Sequence, residues 1–255
     1  MRVSHATLAI VLRARPFGES DKIVSFLTES YGKITGIAKG AKRSRRRFVN
    51  SLEPLSLVNL RFQDRQNSSL AFILASDLTL GFRQLPTSLE KISFAFYLTE
   101  ITDGLIGERE ENRMVFEHLR DGLRYLEENR ASLKFLTAFE LKLLRLAGYQ
   151  PLLDRCKRCS KDRRVGLAAR WYFSVGDGGI FCQSCSRIGP EILPVGATTL
   201  EILADLQAAP SMCSTGLFLP ASVVKEIRTV ISRFIQFHTD REIKSASLLY
   251  EFASI

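Results

Sequence analysis

The stretch ATLAIVLRARPFGESDKIVSFLTESYGKITGIAKG, residues 6–40, alternates short apolar runs with turn signals, and it decides the fold of the first part of the chain. Three strands are predicted here, over 6–13, 23–27 and 33–38, because each run is short, rich in aliphatic and β-branched residues and bounded by turn residues. Two further runs, 55–62 and 70–75, flank a polar segment. Five short strands with no helical pattern between them predict a small closed barrel of the OB-fold type.

After Gly81 the apolar pattern changes to a period of three to four residues. Thr87 followed three positions later by Glu90 has the spacing of a helix capping box, and the residues after it predict a helix with a wide apolar face. A second, amphipathic helix is predicted around 115–126. A third, over 133–146, is apolar on most of its surface, so we expect it at the centre of a bundle.

The last part of the chain carries the same helical signal. Thr198 and Glu201 form a second capping-box pattern, and the apolar residues over 223–234 predict a long helix. Residues 245–252 predict a short closing helix.

Four of the five cysteines form two CxxC pairs separated by 22 residues. Zinc takes four thiolates in a tetrahedron, and two such pairs complete that shell without leaving a position for a catalytic water. We therefore predict a structural Zn²⁺ site around a hairpin over 170–181. Metal binding would contribute on the order of 10 kcal/mol to the folding free energy of this module. Free buried cysteines or a redox dithiol are the alternatives. The four predicted ligands are Cys156, Cys159, Cys182 and Cys185.

Together these signals predict an α+β protein: an N-terminal five-stranded OB-fold barrel followed by an all-α helical bundle with an inserted four-cysteine zinc module. We expect the barrel over 1–82, the bundle over 83–152 and 190–255, and the module over 153–189. Paired cysteines, too few for a disulfide scaffold, indicate a reducing compartment, and no apolar run is long enough to cross a membrane. We therefore expect a cytoplasmic protein without an export signal.

The net charge of +9 favours a polyanionic partner, either nucleic acid or an acidic membrane surface. The charge is concentrated in two blocks, since residues 1–85 carry +8 and residues 150–190 carry +5, while the two intervening and closing parts are slightly acidic. The first block contains six cations within the nine residues 39–47, after a predicted strand. Such a cluster neutralises phosphates without reading sequence, so we predict that it binds nucleic acid; an acidic protein or membrane surface is the alternative.

The predicted DNA-binding residues are Lys39, Lys42, Arg43, Arg45, Arg46 and Arg47, with Arg13, Arg15 and Lys33 extending the surface. We expect residues 39–47 to form a mobile loop on the barrel. Aromatic side chains can stack on unpaired bases, and the candidates for that role are Phe17, Tyr31, Phe48 and Phe62.

Nothing in the sequence indicates an enzyme. The three histidines are scattered, and no phosphate-binding loop of the GxxxxGK type occurs. The alternative function is a zinc-dependent nuclease or other metalloenzyme acting on nucleic acid, which would need an open metal position that four thiolates do not leave. A zinc-containing transcription factor is a third possibility, and it would require marked sequence preference.

The order of these parts resembles the RecO family of bacterial recombination mediators over nearly the whole chain. The resemblance is carried by LRARPFGESDKIV at 12–24, YGK at 31–33, AKGAK at 38–42, LAGYQP at 146–151, GGIFC followed by the second CxxC at 178–185, and IKS at 243–245. It implies an OB-fold domain, a helical bundle and a zinc module acting in the RecF pathway of recombinational repair.

The same resemblance implies partners. Proteins of this kind bind single- and double-stranded DNA, anneal complementary strands, and work with RecR to load RecA onto DNA covered by single-strand-binding protein. They also capture the acidic C-terminal tail of that protein. In this sequence the third helix offers Leu141, Lys142, Leu144 and Arg145 as the predicted site for such a tail.

Overall fold

The computed structural model describes residues 3–65, 68–164, 170–187, 189–209, 220–239 and 241–252. The chain divides into two compact units, Met1–Arg130 and Ala131–Ile255. The helical domain expected over 83–152 and 190–255 straddles this boundary, and the three-part division stays a prediction. Among the described residues, no helix is both long enough and apolar enough to cross a membrane.

The first unit begins with the predicted barrel. Its strands are β1 (Ser4–Phe17), β2 (Asp21–Thr28), β3 (Lys33–Ala38), β4 (Leu57–Gln63) and β5 (Ala71–Leu80). They close in the order β1-β2-β3-β5-β4, with β3 and β5 parallel and the other neighbours antiparallel. This confirms the five-stranded, OB-like barrel.

The barrel closes because β1 is long enough to pair with β4 through its first half and with β2 through its second. A register shift between Val11 and Arg13 bends the strand between the two partners, as a β-bulge does. Alternating side chains then point inwards to one core, which includes Val11, Phe26 and Phe62. The aliphatic and β-branched runs from which the strands were predicted supply this core.

Two helices complete the first unit, α1 (Leu89–Leu105) and α2 (Arg113–Glu128). The capping box expected at Thr87 lies one residue too early, because Thr87 ends a short 3₁₀ turn and Ser88 caps the helix by accepting a hydrogen bond from the backbone of Lys91. The carboxylate of Glu127 on α2 accepts three backbone hydrogen bonds from residues 83–85, at 2.8 to 3.0 Å. The strand-to-helix crossover is thereby tied to α2.

The second unit contains α3 (Leu133–Leu146), a three-stranded antiparallel sheet, and the helices α4 (Ala197–Ala208), α5 (Ala221–Thr239) and α6 (Ser245–Phe252). The sheet has the order β7-β6-β8, with β6 at Trp171–Ser174, β7 at Gly179–Cys182 and β8 at Ile192–Val195. The strand β8 was not predicted. The central position of α3 is confirmed, since nine of its fourteen residues are buried.

Two acidic side chains hold the helices of this unit together. Glu140 on α3 is fully buried and pairs through both carboxylate oxygens with the guanidinium of Arg228 on α5. Glu226, also on α5, accepts from the backbone of Gly196 and the hydroxyl of Thr199 at the start of α4. A carboxylate from another helix therefore caps α4, in place of the capping box expected at Thr198.

Candidate metal centre and nucleic-acid interface

The four predicted cysteine ligands are brought together in the second unit. The sulfur atoms of Cys156, Cys159, Cys182 and Cys185 all lie within 4.8 Å of one another. The Sγ atoms of Cys159 and Cys182 are 3.7 Å apart. Four thiolates at about 2.3 Å from a tetrahedral metal would be about 3.8 Å from one another, so this spacing fits a four-coordinate metal ion.

Each CxxC pair lies in a tight hydrogen-bonded turn that places both of its sulfur atoms in the cluster. The backbone of Ser160 donates to the carbonyl of Cys156 at 2.9 Å, and that of Ser186 donates to the carbonyl of Cys182 at 2.9 Å. The register of β6 and β7 sets Cys182 opposite the buried Trp171, so the hairpin delivers the second pair to the first. Lys157 anchors the first turn to the hairpin through its backbone, 2.8 Å from the carbonyl of Ile180.

The local hydrogen bonds shift the pKa values of two of the thiols, Cys156 and Cys185, in opposite directions. Burial raises the pKa of Cys156, but hydrogen bonds from the backbone of Cys159, Cys182 and Arg158 outweigh it and lower that pKa to about 6. Hydrogen bonds with the side chains of Cys159 and Cys182 raise the pKa of Cys185 to about 12. A bound metal ion would supply the positive charge needed to ionise all four thiols together. The cluster is therefore a site that could hold a metal ion.

The predicted DNA-binding loop lies at one end of the barrel and is firmly attached there. Gly40 has a φ of +67°, which lets the chain turn directly out of β3 into a 3₁₀ turn at Ala41–Arg43. Ala41 and Phe48 are buried in the barrel core, on either side of the exposed arginines. The loop expected to be mobile is thus anchored at both of its ends.

Asp21 joins this loop to the neighbouring β1–β2 turn, a role that the sequence did not reveal. Its carboxylate accepts from the backbone of Gly40 at 2.8 Å and from the hydroxyl of Ser20 at 2.9 Å. These two hydrogen bonds, in that order, lower the pKa of Asp21, assisted by the charges of Lys39 and Lys42. These hydrogen bonds and the nearby charges of Lys39 and Lys42 therefore favour the ionised form of Asp21.

We call the resulting surface the cationic end of the barrel, defined by Arg15, the β1–β2 turn, residues 17–21, and the loop 39–47. The side chains of Lys39, Lys42, Arg43, Arg45, Arg46 and Arg47 are all exposed, as is that of Arg15 at the end of β1. Arg47 is partly engaged, since it donates to the carbonyl of Lys39 at 2.9 Å and lies over the ring of Phe48. Of the predicted DNA-binding residues, these seven share one end of the barrel.

The other two predicted residues lie elsewhere. Lys33 begins β3 at the opposite end and is only 9% exposed; its ammonium donates to the carbonyl of Asp103 at 2.7 Å and lies 3.3 Å from the Asp103 carboxylate. Arg13, which is exposed, faces the same carboxylate at 3.9 Å. Lys33 therefore pairs with Asp103 inside the first unit, and it does not belong to the proposed nucleic-acid surface.

The chain between α1 and α2, residues 106–112, covers this opposite end. The backbone of Arg109 donates to the carbonyl of Lys33 at 2.9 Å, and Glu108 accepts from the hydroxyl of Thr35 on the outer side of β3 at 2.8 Å. The backbone of Glu110 lies so close to Gly32 that a Cβ there would come within 2.3 Å of its carbonyl oxygen. The strand β2–β3 face that OB-folds often use for nucleic acid is thus partly covered by an acidic connection.

Of the four aromatic candidates for base stacking, one is freely available. Phe48 and Phe62 are buried in the barrel core, and Tyr31 packs against the ring of Phe62. Phe17 is 50% exposed and belongs to the cationic end. The structure therefore favours Phe17 for stacking and assigns the other three to packing.

The four predicted tail-binding residues on α3 also differ in how far their side chains are exposed. Leu141 and Leu144 have no exposed surface, because they are part of the core of the second unit. They are not available to a partner's apolar side chain, and that part of the prediction is corrected. Lys142 is partly exposed and Arg145 is exposed. Arg145 lines a cleft of about 610 Å³ together with Arg163 and Arg164.

Comparison with known proteins identifies the family. A family model described as the recombination protein O N-terminal domain matches residues 1–82, and one described as the recombination protein O C-terminal domain matches residues 86–247. The chain is 32% identical over 252 residues to a protein of Syntrophus aciditrophicus named DNA repair protein RecO, covering 98% of this chain and 96% of that one.

Two further relatives carry the same name. The protein of Anaeromyxobacter sp. strain K is 33% identical over 246 residues, or 96% of each chain. That of Pelotomaculum thermopropionicum is 33% identical over 244 residues, covering 96% of this chain and 93% of the relative. These are similarities over nearly full length.

Proposed function

The chain belongs to the RecO family of DNA repair proteins, a family of recombination mediators and not of enzymes, and from that membership we propose that it binds DNA through the cationic end of the barrel. We further propose that it binds both single- and double-stranded DNA and anneals complementary strands. With RecR, it would help load RecA onto DNA coated by single-strand-binding protein.

The observation that carries this proposal is the cationic end itself. Seven exposed cations, Arg15 and the six of the loop 39–47, occupy one end of a barrel whose opposite end is covered by an acidic connection. Cations neutralise phosphates and release counterions, which gives affinity without sequence preference. Annealing needs this neutralisation of two repelling strands and exposed bases, and it needs no bond-making residue.

We propose that the cysteine cluster holds Zn²⁺ with a structural role. The donor set consists of thiolates alone, which favours zinc over magnesium or calcium, and the spacing of the sulfurs fits a closed tetrahedron. All four ligands come from the two turns that fix the hairpin, so the metal would stabilise the hairpin over residues 171–182. A closed shell offers no place for a nuclease's water.

The remaining partners follow from the family. We propose that RecR and the acidic C-terminal tail of single-strand-binding protein bind this chain, in a cytoplasmic, nucleoid-associated setting. Arg145, Arg163 and Arg164 at their common cleft are the cations that would meet the acidic tail, with Lys142 nearby on the same helix. The buried leucines of α3 would support this cleft from within.

The test compares annealing of two complementary labelled oligonucleotides by the wild-type protein and by the variant Arg45→Ala/Arg46→Ala/Arg47→Ala. We expect the variant to bind all DNA sequences more weakly and to anneal more slowly. The variant Arg120→Ala/Arg124→Ala/Arg130→Ala removes the same charge outside the cationic end, and we expect it to behave as wild type. Equal annealing by both variants, or DNA cleavage in the presence of a divalent metal, contradicts the proposal.

A further inference from the structure

The second unit carries an aromatic and cationic surface beside the cysteine cluster that the barrel does not explain. The β6–β7 hairpin buries Trp171, Phe173 and Ile180 on its inner side. Tyr172 and Phe181 are directly paired across the two strands, so their side chains share the outer side. Both are partly exposed. The hairpin thus presents a pair of aromatic side chains on the face opposite to its core.

Cations lie beside one member of this pair, Phe181. Phe181 lines a cleft of about 330 Å³ with Lys157, Arg158 and Arg187, and all three cations are exposed. Asp177, the acidic residue of the lining, accepts a hydrogen bond from Ser174 at 2.6 Å within the hairpin turn. Its backbone carbonyl accepts from the ammonium of Lys157, which fixes that lysine at the rim of the cleft. The cleft therefore has an aromatic wall and a positively charged rim.

The positive charge survives metal binding. Residues 150–190 carry a formal charge of +5 with neutral thiols. Four thiolates around a divalent metal make the cluster two units more negative, which leaves this segment with a net positive charge. Among the described residues, neither Arg158 nor Arg187 has a carboxylate oxygen within 4.0 Å, whereas the guanidinium of Arg155 lies 3.9 Å from the carboxylate of Asp154.

We propose that this surface, Tyr172 and Phe181 with Lys157, Arg158 and Arg187, is a second binding site for single-stranded nucleic acid. Exposed aromatics on a sheet, flanked by cations, are the combination that stacks unpaired bases while it neutralises the phosphates between them. A duplex keeps its bases stacked internally and would use only the cations. An acidic peptide would likewise leave the aromatic pair unused.

The volume of the cleft is consistent with a single nucleotide, since it lies at the lower end of the range of about 300–1,000 Å³ found for small-ligand sites. This inference rests on the proposal that the chain binds single-stranded DNA, but it uses residues of the other unit. A protein with two such sites on separate units can hold two strands, or two parts of one strand, at once.

The test measures binding of fluorescein-labelled oligo(dT) to the full-length, zinc-loaded protein by anisotropy. Phe181→Leu keeps an apolar side chain without a flat ring, and we expect it to weaken binding about 5- to 150-fold. Phe181→Trp keeps the ring and should retain affinity. Arg158→Ala/Arg187→Ala should reduce the slope of log affinity against log salt concentration by about 1.4, at about 0.7 per phosphate contact.

Three controls keep the result specific. Lys225→Ala/Arg233→Ala removes the same charge from α5 and should leave the salt slope unchanged. The amount of bound zinc and the far-ultraviolet circular dichroism of each variant report whether the module still folds. Each cleft variant is also measured in the Arg45→Ala/Arg46→Ala/Arg47→Ala background, where the binding that remains should be lost.

The outcomes separate this inference from the proposed function. If the triple variant loses binding and the folded cleft variants do not, the second site is refuted and the cationic end stands. If the cleft variants lose binding and the triple variant does not, the second site stands and the cationic end is refuted. A polyglutamate peptide whose binding depends on Arg158 and Arg187, with unchanged oligo(dT) affinity, would assign the cleft to an acidic protein and overturn the inference.

Discussion

Replacing Lys33 by methionine separates a role in folding from a role in DNA binding. The side chain is 9% exposed, and its ammonium lies between the carbonyl of Asp103, at 2.7 Å, and the carboxylate of the same residue, at 3.3 Å. Methionine preserves most of the aliphatic volume and removes the charge. We expect Lys33→Met to lower the stability of the first unit and to leave the salt dependence of DNA binding unchanged.

The size of the loss follows from what remains around Asp103. That residue is 6% exposed, and removing one partner of a buried ion pair costs about 3–5 kcal/mol, because the other charge stays buried. Arg13 lies 3.9 Å from the carboxylate and offsets part of this loss, but its side chain is 57% exposed and screened by water. We therefore expect the lower part of the range, about 3 kcal/mol.

A second substitution checks the cause. Asp103→Leu in the Lys33→Met background removes the buried carboxylate, so most of the lost stability should return, leaving a deficit of about 1 kcal/mol for the hydrogen bond to the Asp103 carbonyl. Lys39→Met is the matched control at the cationic end. Since Lys39 is exposed, its replacement should leave stability nearly unchanged and reduce the single-strand salt slope by about 0.7.

The assay has to distinguish the two units. Trp171, the single tryptophan of the chain, lies in the second unit, so its fluorescence during urea unfolding serves as an internal reference that Lys33→Met should not move. Hydrogen exchange of the β2 and β3 amides reports the first unit. Unchanged exchange in the barrel, together with a lower salt slope for DNA binding, would refute the reasoning and return Lys33 to the DNA surface.

Three further predictions concern the cationic end and the cysteine cluster. Arg45→Ala/Arg46→Ala should reduce the duplex salt slope by about 1.8, so that the affinity lost between 50 and 200 mM salt becomes about twelvefold smaller than for wild type; an unchanged slope in a filter-binding titration would contradict this. Removing the metal with a chelator should increase hydrogen exchange in residues 171–182 before the barrel is affected, and uniform exchange in both states would contradict a structural metal. Asp21→Asn should destabilise the first unit at neutral pH. Because folding lowers the pKa of Asp21, its contribution is present above about pH 4 and disappears as the pH falls through the folded pKa, so wild-type and variant unfolding curves should converge in acid.

Local sequence signals were sufficient where the fold is local. Strand β3 has the predicted bounds, Lys33–Ala38, because Gly32 and Gly40 flank it, and helix α6 begins at Ser245 as predicted. The cysteine cluster was equally readable, since metal ligation requires a fixed spacing within each pair. In each case, the residues that determine the structure are neighbours in the chain.

Local sequence signals did not predict the structure correctly where a residue on another helix or strand determines it. Strand β8 contains Pro194 and precedes Gly196, which argues against a strand from sequence alone, yet it pairs with β6 at the edge of its sheet. Thr198 has a capping-box pattern, but Glu226 on another helix caps α4 instead. The neighbouring residues in the sequence do not indicate that either position has a partner on another helix or strand.

The functional residues show the same limit. Lys33 belongs to the same basic part of the sequence as the other predicted cations, and only Asp103, seventy positions later, makes it internal. Leucines on an apolar helix such as α3 cannot be sorted by sequence into those that face the core and those that face a partner. Leu141 and Leu144 face the core because α4 and α5 pack on α3.

The barrel has opposite electrostatic character at its two ends, and this arrangement determines where a polyanion can approach. Glu108 of the acidic connection contacts Thr35 near the start of β3, and the cationic loop begins at Lys39, directly after β3 and about 13 Å further along at about 3.3 Å per residue. That distance exceeds the Debye length of about 8 Å at physiological salt, so each end acts on DNA through its own charges. On the proposed function, a DNA strand would be attracted to the loop 39–47 and not to the partly covered face of β2 and β3. Phe17, on the adjoining turn and 50% exposed, would then be the residue on which a base stacks, so we propose the turn, and not the strand face, as the stacking platform of this barrel.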